Sequence, residues 1–271
     1  MARGGYDGRV SVFLLAGQSN MAGRGGTFVR GDAGEARAGV RWDGVVPEAC
    51  RPRPEQILAF NAAAEWAPAA EPLHEGIDTS KACGVGPGMA FARRLQTLRS
   101  DHAVIGLVPC AVGNTSMDQW APGGELFENA IQRTRAALAS LRGARLSGLL
   151  WYQGESDCDC DDKAAAFSAK LPRLLAAFRE RLGVPELPIV QVAVHTTRGA
   201  LPFVERVRAA QLALRMPGVA TVDARPHARR QEELPDELHL STEAQCALGQ
   251  EIADRLAAQL LPPNPSDATK T

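Results

Sequence analysis

The chain has 271 residues, 45% of them hydrophobic and 23% charged, with a formal net charge of −1. So near a balance gives no electrostatic reason to expect nucleic acid or an anionic membrane as a partner, and it leaves a neutral or weakly charged substrate open. No segment reaches the roughly 18–20 apolar residues that a membrane helix needs. No apolar leader region precedes the first strand, so the expectation is an intracellular protein or one whose leader has been removed.

The first element is the run Val10-Ser11-Val12-Phe13-Leu14-Leu15-Ala16. A continuous stretch rich in Val, Leu and Phe reads as a buried strand. It stops at Gly17-Gln18-Ser19-Asn20, a small, turn-capable cluster that must begin a loop or a helix. Two readings of Ser19 stand side by side. It is a helix N-cap, a common place for serine. Or it is a nucleophile at the carboxyl end of a strand, where α/β sheets bind ligands and a helix start offers free N–H groups.

From about 24 to 82 no period is sustained, and Gly31, Gly34, Pro47, Pro52, Pro54, Pro68 and Pro72 interrupt the stretch. It reads as a long insertion with one short extended piece at Gln56-Ile57-Leu58-Ala59-Phe60. Trp42, Trp66 and His74 inside it either line a cleft or pack against the domain.

After Gly86-Pro87-Gly88 the pattern becomes regular. Met89–Leu98 repeats apolar residues at helical spacing, and His102–Pro109 reads as a second buried strand ending in Gly113-Asn114-Thr115-Ser116. A helix is expected over about Glu125–Leu141, then a third strand over Leu146–Tyr152 ending in Gln153-Gly154-Glu155-Ser156-Asp157. A helix over about Lys163–Leu182 contains Pro172, a possible kink. A fourth strand (Leu187–Val194), a helix (Phe203–Arg215), a fifth strand (Val219–Asp223) and a last helix from about Thr242 to Leu261 follow. Strands alternating with helices imply a parallel sheet covered on both faces, in one domain over 1–261 with a frayed tail at 262–271. No Gly-x-Gly-x-x-Gly follows the first strand and no phosphate-loop pattern occurs, so nucleotide binding has no support.

Six cysteines are scattered along a chain too long to need disulfide staples. Cys158-Asp159-Cys160 lacks a second Cys/His pair and has the wrong spacing for zinc, so reduced, structural thiols are expected rather than a metal site. Cys50 and Cys83 flank the same insertion and are candidates for a bridge in an oxidising setting.

A serine nucleophile needs a base, an orienting group and oxyanion donors. In Pro235-Asp236-Glu237-Leu238-His239-Leu240 the acid and the imidazole are three apart, just before the last helix. That spacing can set a carboxylate against Nδ1–H with Nε2 facing outward. Of the five histidines, His239 alone lies in a strand-end loop beside an acid.

These residues carry a resemblance. Gly17-Gln18-Ser19-Asn20-Met21-Ala22-Gly23, Gly113-Asn114-Thr115-Ser116, Trp151-Tyr152-Gln153-Gly154-Glu155-Ser156-Asp157 and Asp236-x-x-His239, in that order, look like the blocks of the SGNH hydrolase superfamily. More closely they resemble carbohydrate esterase family six and the sialate O-acetylesterase-like domain, including plant carbohydrate esterases. The similarity runs from about Val10 to Leu261 and includes Cys83-Gly84-Val85-Gly86-Pro87-Gly88-Met89. It implies an α/β, three-layer flavodoxin-like fold with a central parallel sheet of about five strands, and a serine esterase without cofactor or metal. Carried over by position, Ser19 is the nucleophile, His239 the base and then the acid, and Asp236 its orienting partner. The backbone N–H groups of Ser19 and Gly113 and the side-chain amide of Gln153 would form the oxyanion hole. Gln18, Asn20, Asn114 and Glu155 would support the loops. Many relatives read Gly-Gly-Thr-Ser where this chain has Gly113-Asn114, and Asn tolerates the left-handed backbone such a turn needs. The expected activity is removal of O-acetyl groups from acetylxylan or another acetylated sugar. The rivals are a broader short-chain or lipase-like esterase and a catalytically silent sugar-binding domain.

Overall fold

In the computed structural model the apolar run that opens the chain becomes β1 (Val10–Gly17), buried along its whole length. The structure describes residues 9–30, 39–53, 56–79, 81–98, 104–228 and 236–260. The other strands are β2 (Thr27–Arg30), β3 (Gly39–Trp42), β4 (Ile57–Phe60), β5 (Trp66–Pro68), β6 (Val104–Pro109), β7 (Ala144–Tyr152), β8 (Ile189–Ala193) and β9 (Val219–Asp223). Seven of them form one sheet in the order β5-β4-β6-β1-β7-β8-β9, with β1 in the middle. All its pairings are parallel except the antiparallel β4–β5 edge. β2 and β3 pair as a separate antiparallel ribbon.

Six α-helices accompany the strands among the described residues: α1 (Ser19–Ala22), α2 (Pro87–Leu98), α3 (Glu125–Ser140), α4 (Asp161–Leu182), α5 (Val204–Ala213) and α6 (Thr242–Leu260). Because side chains alternate along a strand, β1 feeds two cores. Phe13 meets Phe91 of α2 edge-on at 5.1 Å on one face. On the same face α2 and α6 pack together so closely that a methyl on Gly249 would lie 2.3 Å from the Pro87 carbonyl. On the other face Trp151 of β7 packs between Trp120 and Phe178 of α4, and α4 touches both α3 and α5. The result is three layers, α/β/α, as the alternating pattern implies.

The expected strand count of about five is too low. The stretch 24–82 is not only an insertion beside the sheet: β4 pairs in parallel with β6, and β5 extends the edge beyond it. A fully buried strand of four residues carries no alternation, so pattern alone reveals only an extended piece there. α4 runs unbroken through Pro172 and starts at Asp161. Cys50 and Cys83 do not meet. Cys50 lies against Cys246 of α6, whereas Cys83 contacts the carbonyls of His74 and Asp78 at 3.6 Å each. Cys158 is buried with Sγ 3.2 Å from the Gly154 carbonyl, and Cys160 is exposed. The start of the expected second strand, His102-Ala103, and the tail at 262–271 lie outside the described residues.

Candidate active site

The carboxyl ends of the central strands converge on one cleft of about 580 Å³. Its walls include Gln18, Ser19, Gly113, Asn114, Glu155 and His239. Ser19 arrives there through a tight turn. Gly17 takes φ 130° and passes so close to β7 that a methyl would fall 2.1 Å from the Tyr152 carbonyl oxygen. Only glycine fits, and the chain then enters α1. Ser19 is the first residue of that helix and not its cap. Gln18 occupies the cap position, without a side-chain capping bond. The Ser19 hydroxyl instead lies 2.9 Å from Nε2 of His239.

The histidine is held from its other side. Its Nδ1 is 2.6 Å from Oδ2 of Asp236, while Oδ1 accepts the backbone N–H of His239 at 2.7 Å and of Leu238 at 3.1 Å. The Asp-x-x-His spacing thus closes a small turn in which one carboxylate grips both backbone and ring. Burial pushes the Asp236 carboxyl upward, but the hydrogen bonds and charge of His239 outweigh it and hold the group well below the usual carboxylate range.

Asn20 ties this loop to the serine. Its Nδ2 donates to the Leu238 carbonyl at 3.2 Å, and its Oδ1 accepts the Leu240 N–H at 3.1 Å, so it brackets His239 on both sides. Nδ2 also donates to Oε1 of Glu155 at 2.7 Å, and Gln245 of α6 donates to the Asn20 carbonyl at 3.1 Å. Burial raises the Glu155 carboxyl above its ordinary value, with the Asn20 hydrogen bond and the charge of His239 acting against the rise.

Two expected oxyanion donors are engaged elsewhere. The Gly113 N–H donates to Oδ2 of Asp78 at 2.9 Å, and the same oxygen is paired with the buried guanidinium of Arg24. Gln153 is fully buried and absent from the cleft wall. Its amide donates to Asp157 Oδ2 at 2.6 Å, to the Thr115 carbonyl at 2.9 Å and to Gln18 Oε1 at 3.3 Å. Those bonds knit the two strand-end loops together. Asp157 completes the knot by accepting the Met117 N–H at 2.9 Å. Asn114 adopts the left-handed backbone its place in the turn requires, at φ 60°.

Sequence reasoning missed Asp78 and Arg24, which sit in the irregular stretch where no period points to them. The resemblance assigns Gln18 only loop support. Its Oε1 is held by the Ser156 N–H and the Gln153 amide, both at 3.3 Å, which leaves Nε2 as a donor on the cleft wall with no acceptor among the described residues. Trp42, Trp66 and His74 are not on the cleft wall. Trp66 packs on Phe60 and donates to the Ala137 carbonyl, and His74 is fully buried.

A family model described as carbohydrate esterase, sialic acid-specific acetylesterase, matches residues 9–258. The chain belongs to that family. It is therefore a carbohydrate acetylesterase, a carboxylic ester hydrolase. The esterase is 43% identical over 243 residues to a protein of Arabidopsis thaliana named "probable carbohydrate esterase", covering 89% of this chain and 88% of the relative. A solved Arabidopsis thaliana structure superposes with a TM-score of 0.82 at 41% identity, over 93% of this chain and 98% of that one. The structure of NanS shares the fold at a TM-score of 0.68 and 19% identity, over 93% and 97% of the two chains. A shorter match, 28% over 116 residues and about a third of each chain, joins the esterase to the "probable 9-O-acetyl-N-acetylneuraminic acid deacetylase" of Escherichia coli.

Proposed function

We propose that the esterase removes O-acetyl groups from carbohydrate by a serine mechanism with an acetyl-enzyme intermediate. The observation that carries this reading is the chain of contacts from Ser19 Oγ to His239 Nε2 at 2.9 Å and from His239 Nδ1 to Asp236 at 2.6 Å. His239 takes the serine proton as Oγ attacks the acetyl carbonyl, Asp236 holds the ring and stabilises the imidazolium, and His239 returns the proton to the departing sugar oxygen. Water then repeats the sequence on the acetyl-enzyme. The developing oxyanion is met by the Ser19 N–H at the start of α1 and, in this reading, by the Gln18 side-chain amide in place of Gln153.

The cleft wall also favours an acidic sugar over neutral xylan. Lys81 and Arg198 stand on it with no carboxylate partner among the described residues. The name of the Escherichia coli relative points to the same class of sugar. Initial rates on acetylated sialic acid, acetylxylan and nitrophenyl esters of graded chain length separate these substrates from each other and from a broad esterase.

A serine-directed phosphonate tests the mechanism. Intact mass should show one adduct on the wild type, mapped to Ser19, and none on Ser19→Ala. That variant should keep its melting temperature and lose nearly all turnover. Labelling at another residue, or an active Ser19→Ala, overturns the assignment.

A further inference from the structure

Away from the cleft, two thiols meet inside the protein. Cys50 closes a short 3-10 turn at Glu48–Cys50, and Cys246 stands near the start of α6. Their Sγ atoms are 3.3 Å apart although 196 positions separate them in the chain. Cys50 is wholly shielded from solvent, and Cys246 keeps 8% exposure. No other pair of cysteines makes such a contact among the described residues. Cys83 lies against backbone carbonyls, Cys158 against the Gly154 carbonyl, and Cys160 is exposed. The shared hydrogen bond polarises the pair. It raises Cys50, with burial and the charge of Glu71 adding to the rise, and it lowers Cys246. Cys246 is the more accessible thiol, and the hydrogen bond from Cys50 favours its thiolate.

We propose that Cys50 and Cys246 are a peroxide-oxidisable dithiol that closes into a disulfide, stapling the 48–50 turn to α6. The Cys246 thiolate attacks one oxygen of hydrogen peroxide. The O–O bond breaks and the released hydroxide takes up a proton, leaving a sulfenic acid and water. Cys50 Sγ then attacks Cys246 Sγ. The S–O bond breaks, the Cys50 proton leaves with the departing hydroxide as a second water, and the S–S bond forms. The two thiols lose two electrons and the peroxide gains them. A small oxidant suits the narrow access to Cys246. The sulfurs need to approach only from 3.3 Å to a bond length of about 2.05 Å. The 48–50 turn packs on α2 and meets α6 through this sulfur contact. A cross-link closing so long a loop restricts the unfolded chain strongly.

The test treats the full chain with hydrogen peroxide, blocks residual thiols, and maps non-reduced peptides by mass spectrometry. The expected product is a linked peptide pair containing Cys50 and Cys246, lighter by two hydrogens and separated by dithiothreitol. It should be present in Cys160→Ser and absent from Cys50→Ser and Cys246→Ser. The oxidised protein should melt higher, on the order of 5 °C. The wild-type map decides the matter even where a serine variant fails to fold. If both thiols remain open to alkylation at peroxide levels that oxidise the exposed Cys160, or if either pairs with a different cysteine, the proposal is overturned.

Discussion

Gln18 and Gln153 carry the same side chain and touch each other, yet their surroundings assign them different work. The Gln153 amide is consumed by Asp157, Thr115 and Gln18 itself, so its removal takes a buried hydrogen bond from each and leaves the Thr115 carbonyl without its donor. Gln153→Ala should therefore lower stability by about 1–3 kcal/mol, with turnover following the folded fraction. Gln18 keeps its Nε2 on the cleft wall beside Ser19. Its Oε1 is tied to Ser156 and Gln153, but an N–H that bonds only to charge formed in the transition state contributes to kcat and hardly to KM. Gln18→Ala should cost about 10²–10³ in kcat at nearly unchanged KM. Steady-state kinetics and thermal melts on both variants check the division. A large kcat loss in a normally melting Gln153→Ala would restore Gln153 to the oxyanion hole.

Among the elements, the decisive joint is the one between α1, the Asp236–Leu240 loop and the start of α6. Four elements meet on the side chain and carbonyl of Asn20: α1 itself, the loop through Leu238 and Leu240, the β7 end through Glu155, and α6 through Gln245. Because the bonds fall on either side of His239, they fix where its ring lies relative to Ser19. Asn20→Ala should lower kcat roughly 10²-fold, the order expected from a misplacement of about 1 Å. The rate of phosphonate labelling at Ser19 should fall in parallel. Glu155→Gln keeps an acceptor for Asn20 and should show only a mild loss. Undiminished labelling in Asn20→Ala would mean that the Asp236 turn places His239 without help.

For the molecule as a whole, two buried groups bend the pH dependence of stability in opposite directions. Burial, opposed by the N–H groups of Leu73 and Gly86, pushes the Glu71 carboxyl up to about 8 from an ordinary 4.5. The folded state keeps a proton that the unfolded chain releases. Stability present below 4.5 is therefore lost as pH rises through about 8. Burial pushes His74 the other way, down to about 3 from 6.5, so stability present above 6.5 is lost as pH falls through about 3. Glu71→Gln keeps the acceptor for the Leu73 N–H and cannot ionise. Between about pH 6.5 and 8, above the titration of His74, its melting temperature should be flatter than the wild type's, and the variant should be the more stable one above that range. Parallel melting curves for wild type and variant across that range mean that Glu71 does not ionise there.

What the sequence determined by itself is short-range. The buried run ending at Gly17-Gln18-Ser19, the alternation of helix and strand from Pro87 onward, and the Asp236-x-x-His239 turn are each specified by neighbours within a few positions. Local pattern is therefore enough to read them. The turn even sets its own register, since one carboxylate spans the three-residue gap to ring and backbone. Only the tertiary structure decided that 57–68 completes the sheet, that Arg24 and Asp78 lie beneath Gly113, that Cys50 faces Cys246 rather than Cys83, and that Gln153 is tied to Asp157 while Gln18 faces the cleft. A side chain's hydrogen-bond partner depends on which strand ends the sheet order brings together. Asn20 and Glu155 stand 135 positions apart and meet because β1 and β7 are neighbours. No periodicity within either segment encodes that meeting.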